Sequence, residues 1–184
     1  LTLSSPASTV PLDIQIRNEC PTDHEATEAL ALAAFAPDVR VAELVRELRV
    51  SPWLIPELNL VAVVEGMVAG HIMFSRARLG DEYEVALLSP LGVLPEYQKQ
   101  GVGSSLVRHA LEWLASSAFP LVVLEGIPDY YPRFGFTLAY DMGIEPPYPV
   151  WRPAWQAYCL PTCHDAVRGK IVYPEAFDFL HPED

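Results

Sequence analysis

The chain has 184 residues and a formal net charge of −12, from 12 basic and 24 acidic side chains. That balance argues against a broad nucleic-acid or anionic-membrane surface, and it suits either a cationic ligand or plain solubility. At 51% hydrophobic the chain can bury a sizeable core, most simply as one domain over residues 13–184, yet no apolar run reaches the roughly 18–20 residues of a membrane span.

Residues 1–12 lack the basic region and long apolar core of a signal peptide and read as a disordered leader. Alternation over residues 14–17 predicts a short strand. Thr22 and Glu25 form a capping box, with a helix running on to Phe35 before Pro37 stops it. Val41, Leu44, Val45 and Leu48 follow at i, i+3, i+4 and i+7, which gives a second helix one buried stripe. Its charged residues, Glu43, Arg46, Glu47 and Arg49, then form the solvated face. Residues 60–64 and 68–74 read as two strands joined across Glu65-Gly66, and a third strand spans about residues 84–94. Pro90 interrupts that strand, removing a ladder donor and pointing to an edge or bulge. Leu106, Val107, Ala110, Leu111 and Leu114 mark one face of the next helix, and an apolar strand follows at 121–124. Residues 141–161 are rich in proline and aromatics and read as an irregular excursion before a last strand near 155–160. Residues 170–177 close the ordered part. Cys20, Cys159 and Cys163 are odd in number and lack disulfide-framework spacing, which suits a reducing cytoplasm. No second cluster completes a metal site around Cys159, Cys163 and His164.

The segment Gln98-Lys99-Gln100-Gly101-Val102-Gly103-Ser104, between a strand and a helix, carries the chemistry. Such a loop leaves backbone N–H groups unpaired at the positive end of a helix dipole, where they cradle an anion. Gly101 and Gly103 read as positions where a side chain would block backbone approach to that anion, with Lys99 and Arg108 adding local positive potential. No lysine follows either glycine, as a nucleoside-triphosphate loop requires. Leu106 stands where a dinucleotide fingerprint needs its third glycine. About 30 residues on, directly after the apolar strand, comes Pro128-Asp129-Tyr130-Tyr131-Pro132-Arg133-Phe134-Gly135-Phe136.

Together, Gln-x-x-Gly-x-Gly and Tyr-x-x-x-Gly-Phe in this order resemble the GCN5-related N-acetyltransferases. The run Tyr-Tyr-Pro-Arg-Phe-Gly-Phe is similar to their YhbS-like branch. The resemblance covers residues 14–136 at fold level, with its specific motifs within 91–136. It implies an α/β (mixed α+β) fold: a central, mostly antiparallel, splayed mixed sheet flanked by helices. It also implies acetyl-CoA as cosubstrate, with backbone N–H groups of Gln98, Lys99, Gln100, Gly101, Val102, Gly103 and Ser104 on the pyrophosphate. Leu91, Gly92 and Val93 would run along the pantetheine arm, with the Val93 N–H near the thioester oxygen. Tyr131, four residues before Gly135, corresponds to the tyrosine that faces the thioester sulfur and is the candidate acid.

The base stays open. Glu125 closes its strand in a suitable place, whereas Glu84 is out of register with the family's glutamate, which falls nearer Leu87. His71 has a suitable ordinary pKa but, on a strand, reads as structural. The branch often carries Asp or His where this chain has Ile127. Tyr130 reads as packing or acceptor-pocket wall, and Arg133 as an anchor for its turn or a cofactor contact. Tyr148, Trp151 and Trp155 either line the acceptor pocket or pack at the surface. The expected reaction is acetyl transfer to a primary amine of a small molecule or protein, by direct attack in a ternary complex. A non-catalytic acyl-CoA sensor is the alternative. Neither nucleic acid nor membrane is an expected partner, and a homodimer stays open.

Overall fold

A computed structural model of the protein describes residues 12–180. The leader expected over residues 1–12 lies outside them except for Leu12, which packs against the core. The first strand, β1 (Gln15–Asn18), starts one residue later than the alternation predicts. A single 3₁₀ turn at Pro21–Asp23 leads into helix α1 (His24–Ala34), and the cap differs from the expected Thr22–Glu25 box. Thr22 and Glu25 are exposed, and Asp23 Oδ2 instead accepts from the Cys20 N–H at 2.9 Å. The physical reason is Arg17, whose guanidinium donates to both Asp23 oxygens at 2.6 and 2.9 Å and draws that carboxylate into the turn.

Helix α2 (Arg40–Val50) buries Ala42, Leu44, Val45 and Leu48, close to the expected stripe. Strands β2 (Leu60–Val64) and β3 (Met67–Leu79) form the expected hairpin. Glu65 and Gly66 both take positive φ, 51° and 81°, the mirror-image turn whose twist matches paired strands. β3 runs on past the expected Phe74 to Leu79 and pairs along its length with β4 (Tyr83–Val93). Helix α3 (Val102–Leu114) and strand β5 (Leu121–Glu125) follow. The remaining strands are β6 (Thr137–Leu138), β7 (Ile144–Glu145), β8 (Trp155–Cys159) and β9 (Gly169–Val172). The sequence pattern does not mark β9, which pairs with the unexpected tail of β3 at Arg78 and Leu79.

The strand order is β1-β2-β3-β4-β5-β8-β6, with β9 joining β3 and β7. Only β4–β5 and β7–β9 are parallel, so the sheet is mixed and mostly antiparallel as expected. Period-two alternation divides the core between its faces. Ile72, Phe74, Ala86, Leu88, Val122 and Leu124 pack under Leu106, Val107, Ala110 and Leu114 of α3. On the other face Met73, Ala77, Val85, Leu87 and Val123 meet Leu44, Val45 and Leu48 of α2.

The register of β4 against β3 shifts by one residue between Ile72↔Leu91 and Phe74↔Leu88, where Ser89 and Pro90 bulge. On its other side β4 pairs with β5 only at Ala86↔Val122 and Leu87↔Val123. β5 continues with β8 through Glu125↔Trp155, while β4 continues with β3 to Gly70↔Val93. Beyond Leu87 the two central strands therefore part, and the β4 edge facing β5 has no strand partner.

Arg49 corrects the expectation of a solvated charged face on α2. Its side chain is only 12% exposed and donates to Glu19 at 2.8 and 3.1 Å, to Glu28 at 3.0 Å and to Thr27 Oγ1 at 3.0 Å. Glu19 also accepts from Thr27 and Asn59 at 2.7 Å each. Because Asn59 gives its amide to Glu19, its Oδ1 must accept from His71 Nε2–H, 2.9 Å away. His71 is thus a structural residue. The network ties the end of β1, both helices and the starts of β2 and β3 into one unit.

Burial would raise the Glu19 carboxyl, but the hydrogen bonds from Arg49 and Thr27, aided by His71 and Asn59, outweigh it and hold it at about 2. Burial, partly opposed by Glu19, pushes His71 down to about 4. Glu19 therefore stabilises the fold fully above its ordinary 4.5, and that contribution is lost as pH falls toward 2. The unfolded chain protonates His71 near 6.5 but the folded chain only near 4, so stability also erodes as pH falls between those values. Melting temperature should fall steadily from neutral pH into acid, and His71→Gln should remove the upper part of that slope. Arg49→Ala, which strands a buried carboxylate, should cost about 3–5 kcal/mol in denaturant unfolding, and Arg49→Met with Glu19→Leu should recover most of it.

Candidate active site

Where β4 and β5 part, the chain turns into the glycine loop. Leu94 N–H bonds Ala69 O at 3.0 Å on the β3 side, so strand alternation aims the Val93 N–H and C=O at the open edge. The Val93 carbonyl there accepts from Gln98 Nε2 at 3.1 Å, and Gln100 Nε2 donates to Glu96 O at 2.6 Å. Both glutamine side chains thus brace their own loop. Lys99 has φ 61° and Gly101 φ 93°; these left-handed positions swing the chain into α3, with Gly101 as its N-cap. The first N–H of the α3 turn to meet a backbone acceptor is that of Ser105, on Gly101 O at 2.9 Å. The N–H groups of Val102, Gly103 and Ser104 meet no backbone acceptor among the described residues, and they sit at the positive end of a 13-residue helix.

A cavity of about 940 Å³ opens on this edge. Its lining includes Leu91, Gly92, Val93, Gln98, Lys99, Gly101, Val102, Gly103 and Ser104, with Tyr130, Tyr131 and Arg133 opposite. All the sequence-predicted cofactor residues except Gln100 come together here. Arg108 does not line it; its guanidinium lies over the Phe134 ring, 5.4 Å from the centroid. Arg133 stacks over Tyr130 at 4.8 Å, which anchors its turn, and also lines the cavity.

The structure changes the reason for Gly103. A Cβ there would come 2.8 Å from the Tyr130 hydroxyl and 3.3 Å from Val93 Cγ2. The glycine therefore admits the tyrosine as well as any ligand, and Tyr130 is a wall of this cavity, with no place in the second one described below. Tyr131 is buried and edge-on to both Tyr130 and Phe136, at 5.0 and 5.6 Å between ring centroids. Burial, and secondarily Tyr130, pushes its hydroxyl well above the ordinary phenol value, so it stays protonated.

A second cavity, about 510 Å³, lies on the far side of the parting strands. Glu125 and Ser89 line it, as do Tyr148 and Trp151, and Ile127 is a wall of both cavities. Tyr148 donates to Glu125 Oε2 at 3.1 Å, and the Tyr173 hydroxyl hydrogen-bonds that of Tyr148. Trp155, expected here or at the surface, is instead fully buried in β8 and donates from Nε1 to Ile144 O at 2.9 Å. Glu84, on β4, is exposed and faces Arg76 at 3.9 Å, and neither Glu84 nor His71 lines either cavity. Cys159 and Cys163 hold their sulfurs 2.7 Å apart, but among the described residues no group of three or more potential ligands is placed to hold a metal ion.

Comparison with known proteins agrees with this architecture. Residues 27–136 match the model of the Acetyltransferase (GNAT) family. YhbS of Escherichia coli K12, an uncharacterised N-acetyltransferase, is 34% identical over 166 residues, which cover 89% of this chain and 98% of YhbS. The chain belongs to the GNAT family. A second uncharacterised N-acetyltransferase of that organism, YjhQ, is 42% identical over 113 residues, 59% of this chain and 62% of YjhQ. The crystal structure of E. coli YhbS with CoA superposes with a TM-score of 0.82 at 31% identity, covering 96% of each chain. A GNAT acetyltransferase of Brucella melitensis in complex with acetyl-CoA gives 0.74 at 33% identity, over 90% of this chain and 98% of that one.

Sequence reasoning missed Asp38, Tyr173 and Phe177, all in the second cavity of this GNAT chain. Asp38 and Phe177 carried no motif, and Tyr173 lay in a stretch read only as the end of order. No helix among the described residues is long and apolar enough to cross a membrane.

The contact between Gly103 and Tyr130 is open to a direct test. Gly103→Ala should destabilise the fold by about 1–3 kcal/mol in denaturant unfolding, and adding Tyr130→Phe should recover part of that loss. Independent, additive effects of the two substitutions would contradict the contact.

Proposed function

We propose that this GNAT protein is an acetyl-CoA-dependent N-acetyltransferase acting on primary amines by direct attack in a ternary complex. One observation carries the reading: the unpartnered edge of β4 links the unpaired amides of α3 to a protonated Tyr131, and a second cavity opens across the shared wall at Ile127. The residues present fit the cosubstrate. Main-chain donors at Val102, Gly103 and Ser104, with Lys99, answer a pyrophosphate at a helix N-terminus, and Leu91, Gly92 and Val93 offer open strand edge for an extended amide-bearing arm. The cosubstrate supplies an acetyl group activated as a thioester.

The Val93 N–H, aimed at the cleft, donates to the carbonyl oxygen as charge builds there. Tyr131 donates to the sulfur as its bond to the acetyl carbon breaks. Burial raises the phenol and would raise the departing thiol in the same way, so the tyrosine hydrogen-bonds the sulfur first and passes its proton as negative charge builds there. Two protons leave the ammonium nitrogen: Glu125 passes one to solvent, and the other replaces the proton given by Tyr131. The nitrogen–carbon bond forms as the carbon–sulfur bond breaks, giving an amide and a free thiol.

Acetyl-CoA should raise the melting temperature saturably, and amines should release thiol from it. Tyr131→Phe should lower kcat about 100-fold while leaving the affinity for acetyl-CoA near that of the parent protein. Gly101→Glu should abolish the acetyl-CoA stabilisation. Stabilisation by acetyl-CoA with no thiol release from any amine would favour a non-catalytic acyl-CoA sensor.

A further inference from the structure

The second cavity has a charge pattern that defines its ligand. Two acids line it, Asp38 and Glu125, and among the described residues no lysine, arginine or histidine does. Asp38 is already neutralised: Arg40 takes its two oxygens through Nε and Nη2 at 2.9 and 2.7 Å, and the Arg40 N–H adds a bond at 3.0 Å. Among the described residues Glu125 has only neutral company, the hydroxyl of Tyr148 backed by that of Tyr173. Among those residues, therefore, one uncompensated negative charge stands in the cavity. It lies at the end of β5, two residues before the Ile127 wall shared with the thioester side.

Apart from Asp38, Glu125 and Ser89 the walls are mainly apolar and aromatic. Tyr148 and Tyr173 stand edge to face at 5.8 Å, and Tyr173 packs on Phe177 at 5.0 Å. Val41 and Leu87 close the inner side, and Trp151 forms the rim, 69% exposed. Ile127 is equally exposed, so two large apolar side chains meet solvent at the mouth. At about 510 Å³ the cavity suits a ligand of about a dozen heavy atoms.

We propose that this cavity binds, as acetyl acceptor, a compact primary monoamine with an aromatic or bulky apolar body and no carboxylate. Its ammonium rests on Glu125 and its body lies between Tyr148, Tyr173 and Trp151. The inference rests on the transferase reading and narrows it to one substrate class. A single ammonium meets the one free charge, and the aromatic faces add cation–π attraction. An amino acid would carry its carboxylate into a lining with no cation, and a polyamine would bury a second charge with no acid left to meet it. With such an acceptor the products are the N-substituted acetamide and free CoA thiol, with one proton released to solvent. Tyr148 and Tyr173 are positioning residues that orient the Glu125 carboxylate.

The test is thiol release at saturating acetyl-CoA for phenethylamine, ethylamine, phenylalanine, spermidine and a lysine-containing peptide, with product masses confirmed. Phenethylamine and phenylalanine share a body and differ by the carboxylate. The expected result is kcat/KM for phenethylamine at least about tenfold above each of the others. Trp151→Ala, at an exposed position that should leave the fold intact, should raise KM for phenethylamine by a larger factor than KM for ethylamine, with Trp151→Phe restoring most of the difference. Tyr173→Phe should lower kcat/KM for phenethylamine and ethylamine alike, because both rest on the carboxylate it orients. Faster turnover of phenylalanine, spermidine or the peptide would overturn the substrate class while leaving the transferase intact. Stabilisation by acetyl-CoA without turnover of any amine would overturn the transferase reading, and the substrate class with it.

Discussion

A strand in the middle of a sheet must satisfy both of its edges, and β4 does so only as far as Leu87. Beyond that point its ladder with β5 ends, Ser89 and Pro90 bulge against β3, and β5 turns its remaining hydrogen bonds to β8. Buried backbone without partners is costly, so a parting of this kind persists only where something else can use the exposed groups. Both cavities exist because of it. One lies along the freed edge of β4, the other on the far side at Ser89 and Glu125, and they meet at Ile127.

The rest of the molecule holds that opening steady. Helix α1 ends at Ala34 and Phe35, which wall the larger cavity, and its other end is moored through Thr27 to Glu19 and Arg49. The ionic knot lines neither cavity, although His71 pairs across the ladder with Gly92 of the larger one, and it sets where α1 and α2 sit over the sheet. A buried carboxylate that accepts from Arg49, Thr27 and Asn59 has few alternative arrangements, so it favours one placement of the helices over near neighbours.

Much of this was legible in the sequence, and the failures have a common form. Glu65-Gly66 announced its turn and Pro90 its bulge, because each is a local backbone constraint written in one or two residues. Arg49 was misread because helical spacing says which side chains share a face but not that Glu19, 30 residues away, waits on that face. Trp155, among prolines, read as either a pocket aromatic or surface packing, whereas the register of β8 against β5 turns it inward. Gly103 was recognised, but its closest constraint, the Tyr130 hydroxyl, comes from a segment more than 20 residues on. The glycine loop was readable because it is one contiguous stretch of main chain. The second cavity was legible only in part: Glu125, Tyr148 and Trp151 were candidates, whereas Asp38 and Tyr173 converge on them from separate stretches.

Charge is sorted between the two openings. Lys99 and Arg133, with the helix-end amides, outweigh Asp129 at one mouth; the other holds Glu125 and an Asp38 already matched by Arg40. On a molecule of net charge −12, the first is a small positive window in a repulsive field and the second blends with its surroundings. Encounter rates inherit this asymmetry. A polyanion must find the window against long-range repulsion that added salt relieves, so its capture should quicken as ionic strength rises until screening reaches the window itself. A cation is drawn by the whole surface, and the same salt slows its arrival. The balance between two encounters is thus written into the placement of a few charges, independent of how tightly either visitor is finally held.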